Sequence, residues 1–344
     1  MTPYSRYCAA VGTAILENRR VGAAKAIAPP DEIVHSTKMT VNSSLAWPDL
    51  SPGGWQDTFD TLHMWTQIVG KTRLALAPME NHWWQVALYV TVRGLTTSPM
   101  PHGNRSIAVE LDFISHELIV HAGDGARDSF ALTSMTVADF FARYLGILRS
   151  LGIDPAIHPS PVEVETAIPF AQDSKHARYE AQAAHQCWRI LLNTQRVLKI
   201  FRGRFTGKQS PIHFFWGSFD LAATRFSGRR APKHPGGVPN CPDRVMIEAY
   251  SHECSSCGFW PGGGDTLQPA FYAYAYPEPR GYAQRLVEPA AAGYDTKARE
   301  FLLPYSALRA VPGPDEVLLR FFQTTYEAAA DLGQWDRAAL DRTT

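Results

Sequence analysis

The sequence has no net charge, no long apolar run and only a few cysteines. Its 33 Lys and Arg residues balance its 33 Asp and Glu residues. This balance argues against a nucleic acid as the main partner, because neutralising phosphates needs a basic surplus or a basic face. No apolar run approaches the roughly 20 residues of a membrane-spanning helix, so we expect no membrane association either.

The cysteines are too few and too irregular for a disulfide framework. They are Cys8, Cys187, Cys241, Cys254 and Cys257, an odd number at uneven spacings. The N-terminal residues also lack the continuous apolar segment of a secretory signal. Both observations favour a reducing compartment, and we predict a cytoplasmic location.

Residues 1–38 differ in composition from the rest of the chain. They are rich in alanine with scattered arginines, and a proline pair lies near their end. The compact pattern begins only at residues 45–48, Leu-Ala-Trp-Pro. We therefore expect a mobile N-terminal extension over residues 1–38, with Met39 as an alternative start of translation.

The chain of 344 residues is too long for one ordinary core, so two domains or one duplicated domain are expected. Hydrophobic periodicity predicts the same order twice: a long helix, an antiparallel meander and a closing helix. The predicted fold class is α+β, with antiparallel sheets covered by helices. The predicted halves are residues 45–152 and 173–344, and a proline-rich connector over 153–172 separates them.

Matching spacings suggest that the halves are related. Trp65 precedes Arg73 by the same distance as Trp188 precedes Arg196. The step from His82 to Arg93 is one residue shorter than the step from His213 to Arg225, a difference that a β-bulge could absorb. Two periods do not establish a repeat, so an internal duplication is a hypothesis, in which His82 and His213 would be equivalent.

The most aromatic stretch is Ser-Pro-Ile-His-Phe-Phe-Trp-Gly-Ser-Phe-Asp at residues 210–220. We interpret it as a long, buried strand. In that case His213 and Gly217 share one face, while Trp216 and Asp220 lie on the other. Gly217 favours a bulge or tight packing against a ring, and the alternative is clearance for a ligand above the sheet.

Histidines and carboxylates near this stretch are candidates for chemistry. His213, His252 and Glu253 could act as acid–base groups or hold a mononuclear divalent transition metal, with Glu248 and His82 as further ligands and His63 in reserve. Predicted catalytic residues are therefore His213, His252 and Glu253, and predicted metal ligands are His213, His252, Glu248 and His82. None of them has the spacing of a known metal motif, and the alternative is that they are buried histidines held by hydrogen bonds.

Cys254 and Cys257 form a C-x-x-C pair. A structural zinc would need Cys241 and His252 as additional ligands, and a redox pair would need a following helix. The surroundings indicate a strand, so two ordinary thiols are the favoured interpretation. The glycines at 262–264 lack the following Lys-Ser/Thr of a phosphate loop, which argues against nucleotide binding.

Arginines after apolar strands are candidate anion ligands. Arg93 and Arg225 are predicted to bind a carboxylate or phosphate, and Trp216 and Tyr274 to contact an aromatic substrate. The favoured alternative for the arginines is an internal partner among Asp220, Glu110 and Asp112. Arg73 is also predicted to be buried. The tyrosines could equally pack against a helix.

Four strings resemble those of an uncharacterised bacterial family, of the domain-of-unknown-function 5996 type. They are residues 63–71 (His-Met-Trp-Thr-Gln-Ile-Val-Gly-Lys), residues 93–99 (Arg-Gly-Leu-Thr-Thr-Ser-Pro), the aromatic stretch and residues 258–262 (Gly-Phe-Trp-Pro-Gly). The resemblance covers Trp47 to the C-terminus and leaves out residues 1–38. The family implies no activity. In this family the positions of Cys254 and Cys257 often lack cysteine, which weakens a zinc or redox role.

Two hypotheses for function follow from the residues. The first is an enzyme that acts on a small anionic or aromatic molecule in a cleft between the halves and uses a metal or acid–base groups. The second is a non-catalytic small-molecule binding or scaffold protein, in which the same residues satisfy one another. The sequence does not decide the oligomeric state.

Overall fold

The computed structural model describes residues 47–50, 52–262 and 268–342. The predicted extension over residues 1–38 and two glycines of the predicted 262–264 turn, Gly263 and Gly264, lie outside the described residues. None of the described helices combines the length and the apolarity that crossing a membrane requires.

The first half begins with a long helix, as predicted. Helix α1 buries Leu62, Trp65, Ile68 and Val69, which are the residues of the predicted apolar face. A 3-10 segment, six strands and a second helix follow. Their bounds are α1 Pro52–Leu76, the 3-10 segment Asn81–Val86, β1 Tyr89–Val90, β2 Gly94–Thr96, β3 Met100–His102, β4 Arg105–Asp112, β5 Glu117–Ala122, β6 Arg127–Ala131 and α2 Val137–Ser150.

Local signals fix both ends of α2. The Thr136 hydroxyl accepts a hydrogen bond from the backbone amide of Asp139 at 3.0 Å, which caps the N-terminus of the helix. Gly152 follows the helix with φ of +73°, a conformation that glycine adopts without strain.

The second half has the same order of elements, with six strands and three additional short helices. Their bounds are α3 Ala181–Gly203, β7 His213–Phe215, β8 Asp220–Arg230, α4 Asp243–Ala249, β9 His252–Trp260, β10 Ala270–Tyr276, β11 Gly293–Asp295, β12 Glu300–Pro304, α5 Tyr305–Arg309, α6 Pro314–Leu332 and α7 Arg337–Leu340. Short 3-10 turns occur at Phe170–Gln172 and Tyr282–Gln284. Helices with two antiparallel sheets confirm the α+β class.

The strands form two antiparallel sheets. The first has the order β1-β2-β4-β5-β6, and β3 also pairs with β4. The second has the order β11-β12-β10-β9-β8-β7. Leu88, just before β1, forms an isolated bridge with Phe214 of β7, so the two sheets meet along one edge.

The aromatic stretch is a hairpin, and its prediction as one long strand was wrong. Residues 216–219 form a turn, with Phe219 at φ of 58°, and the chain reverses so that His213 pairs with Ala222. His213 and Gly217 therefore do not lie on one face of a single strand.

Two further segments differ from what their composition indicates. The Trp, Tyr, Val and Thr residues between 82 and 97 are typical of a strand, but Asn81–Val86 forms a 3-10 segment with a kink, at which His82 and Trp83 adopt left-handed φ values of 60° and 67°. Residues 247–249 belong to helix α4 rather than to a strand, so Glu248 lies on a helix.

The internal duplication is not confirmed. His82 lies in the irregular 3-10 segment, whereas His213 lies in strand β7. Arg93 lies in the turn between β1 and β2, whereas Arg225 lies inside β8. The shared order of elements does not extend to these proposed equivalents.

One apolar core serves both halves. It includes Trp65 of α1, Phe140 of α2, Leu191 of α3 and Phe322 of α6. Trp65 stacks on Phe140 with ring centroids 4.6 Å apart. A second cluster, which includes Trp84, Phe215 and Phe226, covers the other face of the second sheet.

Candidate functional site

His213 lies in a pocket of aromatic rings. Its side chain is fully buried, with an exposed fraction of 0%. The ring centroids of Trp84, Tyr89 and Phe215 lie 5.3, 5.6 and 5.4 Å from that of the imidazole, each in an edge-to-face arrangement. The pocket forms because Trp84 comes from the 3-10 segment and Tyr89 from the adjacent sheet edge.

The imidazole of His213 is unpaired and neutral. Neither ring nitrogen has a hydrogen-bond partner within the described part of the chain. Burial, with further contributions from Arg73 and Arg202, lowers the pKa of His213 to about 3. At neutral pH the ring therefore offers one N–H donor and one lone pair.

Arg73 reaches the same pocket from helix α1. Its guanidinium carbon lies 5.4 Å from the centroid of the Tyr89 ring. The Nη1 group donates to the Thr97 carbonyl and to Ser98 Oγ, the latter at 2.9 Å. Across the described ranges, Nε of Arg73 has no hydrogen-bond partner.

These groups form one donor-rich cluster. We call His213, Arg73, Trp84 and Tyr89 the His213 cluster. The indole Nε1 of Trp84 also has no partner among the residues described, although the residue is only 4% exposed. Buried donors without partners carry a desolvation cost. The cluster is therefore suited to bind a ligand that accepts hydrogen bonds, and the charge of Arg73 favours a negatively charged one.

His82 and His252 lie next to each other, outside the His213 cluster. Their ring centroids are 5.4 Å apart. The His82 ring nitrogen Nδ1 lies 3.0 Å from the Ala249 carbonyl oxygen, and the His82 backbone amide donates to Glu248 Oε1 at 3.1 Å. Burial lowers the pKa of both histidines. These partners satisfy His82 internally.

The structure does not bring the predicted metal ligands together. Trp84 lies between the two places, since its ring contacts both His82 and His213. Among the residues that the structure describes, no three His, Cys, Asp or Glu side chains lie together in a way that could hold a metal ion. The proposed set of His213, His252, Glu248 and His82 therefore does not form one site.

Glu253 has internal partners. Its Oε2 atom accepts hydrogen bonds from Ser227 Oγ at 2.8 Å and from Arg229 Nε at 2.9 Å. It also lines a cavity of about 70 Å³ that is built from the second half alone. A wider opening of about 710 Å³ is lined by residues 101–124 of the first half, so neither of these two cavities is a cleft between the halves.

Neither of the two predicted anion-binding arginines lies in the His213 cluster. Arg93 donates to Asp112 Oδ2 at 2.6 Å and to Ser115 Oγ at 2.7 Å. The Arg225 guanidinium carbon lies 3.5 Å from the Phe201 ring centroid and 4.2 Å from that of Tyr326. Arg225 faces the core shared with α3 and α6, away from the His213 cluster.

The two residues predicted to contact an aromatic substrate, Trp216 and Tyr274, are also buried and hydrogen-bonded within the protein. Trp216 donates from Nε1 to the Val86 carbonyl at 2.7 Å. Tyr274 and Tyr250 share a hydrogen bond between their hydroxyl groups at 2.8 Å. Buried Asp220 accepts hydrogen bonds from Tyr272 and Ser218, so Arg225 is not its partner in these contacts.

The C-x-x-C pair is split between the faces of the second sheet. Cys254 belongs to the cluster around Trp84, whereas Cys257 belongs to the main core. Residues three apart in a strand point to opposite faces, so the two thiols cannot share a tetrahedral metal.

Sequence reasoning missed Lys71. It is only 3% exposed, and its Nζ lies 5.7 Å from the Trp216 ring centroid. His63, Gln67 and Lys71 follow one another at intervals of one helical turn within the family-like string 63–71. That spacing places all three on one face of α1 and could have identified the residue.

The family resemblance is confirmed. A family model described as "Family of unknown function (DUF5996)" matches residues 47–342. Neither a curated protein nor a solved structure matches the chain. The description of the family names no activity, so the function has to be argued from the residues of this chain.

Proposed function

We propose that this chain, which belongs to the DUF5996 family, is a binding protein for a small anionic molecule held at the His213 cluster. The observation that carries the proposal is the set of buried, unpartnered nitrogen atoms of His213, Arg73 and Trp84 around one pocket. Arg73 supplies positive charge there, and no ion pair joins it to a carboxylate of the described chain.

The electrostatics of the pocket favour an anion over a cation. Arg73 and Arg202 both act on His213 and lower its pKa, after the larger effect of burial. Tyr89 and Glu80 both act on Arg73, and Glu80 is exposed to solvent. An anion that accepts hydrogen bonds from Nε of Arg73 and Nε1 of Trp84 would satisfy two buried donors at once.

The same electrostatics favour binding over proton transfer. A general base works best when its pKa lies near the working pH, and the pKa of His213 is about 3. His213 is therefore suited to orient an anion by a hydrogen bond and poorly suited to remove a proton. Of the two hypotheses from the sequence, this supports the non-catalytic one at this pocket.

Tyr89 is the element through which a ligand could enter. It is half-buried, whereas His213 behind it is fully buried. Tyr89 is the most exposed residue of the His213 cluster, so a ligand would enter past its ring. The aromatic walls suit a small planar anion such as a carboxylate.

The test is a titration of ¹⁵N-labelled protein with sodium acetate at constant ionic strength. We expect a saturable shift of the Trp84 indole N–H resonance, assigned with Trp84→Phe. Arg73→Met should weaken the binding at least about tenfold, because hydrogen bonds to charged groups contribute about 1.5–3 kcal/mol. Arg93→Met is the matched control, since Arg93 is engaged with Asp112. A Trp84 resonance that does not respond, or equal affinity in both variants, would rule the proposal out.

A further inference from the structure

Three polar residues lie on one face of α1, where the helix meets the turn at Gly217 and the segment around Val162. The His63 ring nitrogen Nε2 lies 2.8 Å from the Gly217 carbonyl oxygen. Gln67 exchanges two hydrogen bonds of 2.8 Å with the backbone of Val162. The third residue, Lys71, has no hydrogen-bond acceptor and no carboxylate partner in the described ranges. Two of the three therefore hold the fold together, and the third does not.

The Trp216 ring lies beside Lys71 and is held in a fixed position. A β-carbon at Gly70 would overlap the indole of Trp216, so glycine lets that ring lie directly on the helix next to Lys71. The hydrogen bond from Trp216 Nε1 to the Val86 carbonyl holds the ring in place. Lys71 thus lies beside a ring in a fixed position, and most of the surface of the lysine is removed from water.

An isolated buried ammonium group is unfavourable. Burial lowers the pKa of Lys71 to about 8, and the thiol of Cys241 is the one group that raises it. A substantial fraction of the side chain is then the free amine near neutral pH, unlike an exposed lysine. Free amines in apolar surroundings are nucleophiles towards carbonyl carbons.

The cover over this junction consists of irregular segments. The Glu163 amide donates to the Pro239 carbonyl at 2.9 Å, and Asn240 Nδ2 donates to the Val164 carbonyl at 2.7 Å. Cys241, close enough to act electrostatically on Lys71, is half-exposed. A small molecule could reach the amine by displacing these loop contacts, without unfolding a helix or a sheet.

We propose that Lys71 is a nucleophile that forms an imine with a small aldehyde or ketone. The nitrogen lone pair attacks the carbonyl carbon, the carbonyl π electrons move to oxygen, and proton transfer gives a carbinolamine. Loss of the hydroxyl group as water, with the remaining nitrogen proton, gives the C=N bond. The step is a condensation, and nothing is oxidised or reduced.

The test uses the full chain, pyruvate as the carbonyl probe and sodium cyanoborohydride to trap the imine, followed by peptide mass mapping. We expect Lys71 to be modified at least about tenfold faster than exposed Lys199 near neutral pH, because burial lowers the pKa of the Lys71 amine. The rate at Lys71 should level off above about pH 8.

Lys71→Arg keeps the charge and should remove this adduct, whereas Lys199→Arg should leave it in place. The peptide map of the wild-type protein decides the question even if Lys71→Arg fails to fold. Equal labelling of Lys71 and Lys199, or labelling of exposed lysines alone, would overturn the proposal. Acetate binding at Trp84 is measured separately, so either proposal can fail without the other.

Discussion

Leu88 and Phe214 exchange both of their backbone hydrogen bonds, with N···O distances of 2.9 and 2.8 Å. This pair joins the edge of the first sheet to the edge of the second. Trp188 of α3 adds a link from its Nε1 to the Thr91 carbonyl at 3.0 Å, and Trp47 donates to Asp315 Oδ1 at 2.9 Å. The two halves are therefore connected by backbone, side-chain and core contacts.

From these contacts we expect the halves to unfold together. The full chain should show one transition in urea, coincident by far-ultraviolet and near-ultraviolet circular dichroism. A fragment of residues 45–152 should show no cooperative transition, because it would expose the core face of α1 and the edge at Leu88. Cooperative unfolding of that fragment with wild-type-like circular dichroism would contradict this expectation.

Gly70 should not tolerate a side chain. Gly70→Ala would push a methyl group into the Trp216 ring, whose position is fixed by its hydrogen bond to Val86. We expect a loss of about 1–3 kcal/mol in the free energy of unfolding, measured with urea. Gly146→Ala is the matched control, since Gly146 lies in α2 and a β-carbon there would meet no atom within 4 Å. That variant should be stabilised by about 0.5–1 kcal/mol.

His213 should make the protein sensitive to acid. Burial lowers its pKa to about 3, so between that value and the ordinary pKa of about 6.5 the unfolded chain binds more protons than the folded one. Its contribution to stability is therefore fully present above about pH 6.5 and decreases as the pH falls.

Between pH 6.5 and pH 4.5 the free energy of unfolding should fall by about 2–3 kcal/mol less in His213→Phe than in wild type. The measurement is a set of urea titrations across this range. His121→Phe, at an exposed histidine, is the control for introducing a phenylalanine. Equal slopes in wild type and His213→Phe would show that His213 is not held in its neutral form.

Arg225 should be replaceable by an apolar side chain of similar size. It is 1% exposed and lies against the rings of Phe201, Phe205 and Tyr326. Its Nε and Nη1 atoms have no hydrogen-bond partner in the described chain, so the desolvation of the charge is only partly compensated. We expect Arg225→Met to remain within about 1 kcal/mol of wild type, and Arg225→Ala to lose about 3 kcal/mol through the cavity it leaves. Equal losses in the two variants would mean that the charge itself is required.

Asp112 should contribute more to the free energy of unfolding than Arg93, although the two form one ion pair. The Asp112 carboxylate is buried and also accepts hydrogen bonds from the backbone amides of Ile114 and Ser115 at 2.8 and 3.0 Å. Burial alone would raise the pKa of Asp112, but these amides and Arg93 hold it below its usual range.

Asp112→Ala should therefore cost about 2–3 kcal/mol, because it removes the charged acceptor of the hydrogen bonds from the Ile114 and Ser115 amides and from Arg93. Arg93→Met should cost no more than about 1 kcal/mol, since the Arg93 side chain is 46% exposed. Chemical denaturation of both variants at neutral pH makes the comparison. The reverse order of costs would contradict the assignment of Asp112 as the structural centre of this turn.

Local patterns in the sequence determined the main elements. Such patterns specify the apolar face of α1, the Thr136 cap of α2, the alternation of rings and methyl groups in β10 and the start of α6 at Pro314. Each depends on residues within a few positions of one another, so composition and spacing are enough to specify it.

The tertiary structure alone decided which polar groups have partners. It turned the chain at residues 216–219, placed Trp84 between His213 and His82, and gave Arg93 a carboxylate. Lys71 has none among the residues that the structure describes. Burial and charge pairing depend on segments that are far apart in the chain. For that reason the sequence identified His213 as unusual but not its neighbours, and it did not identify Lys71.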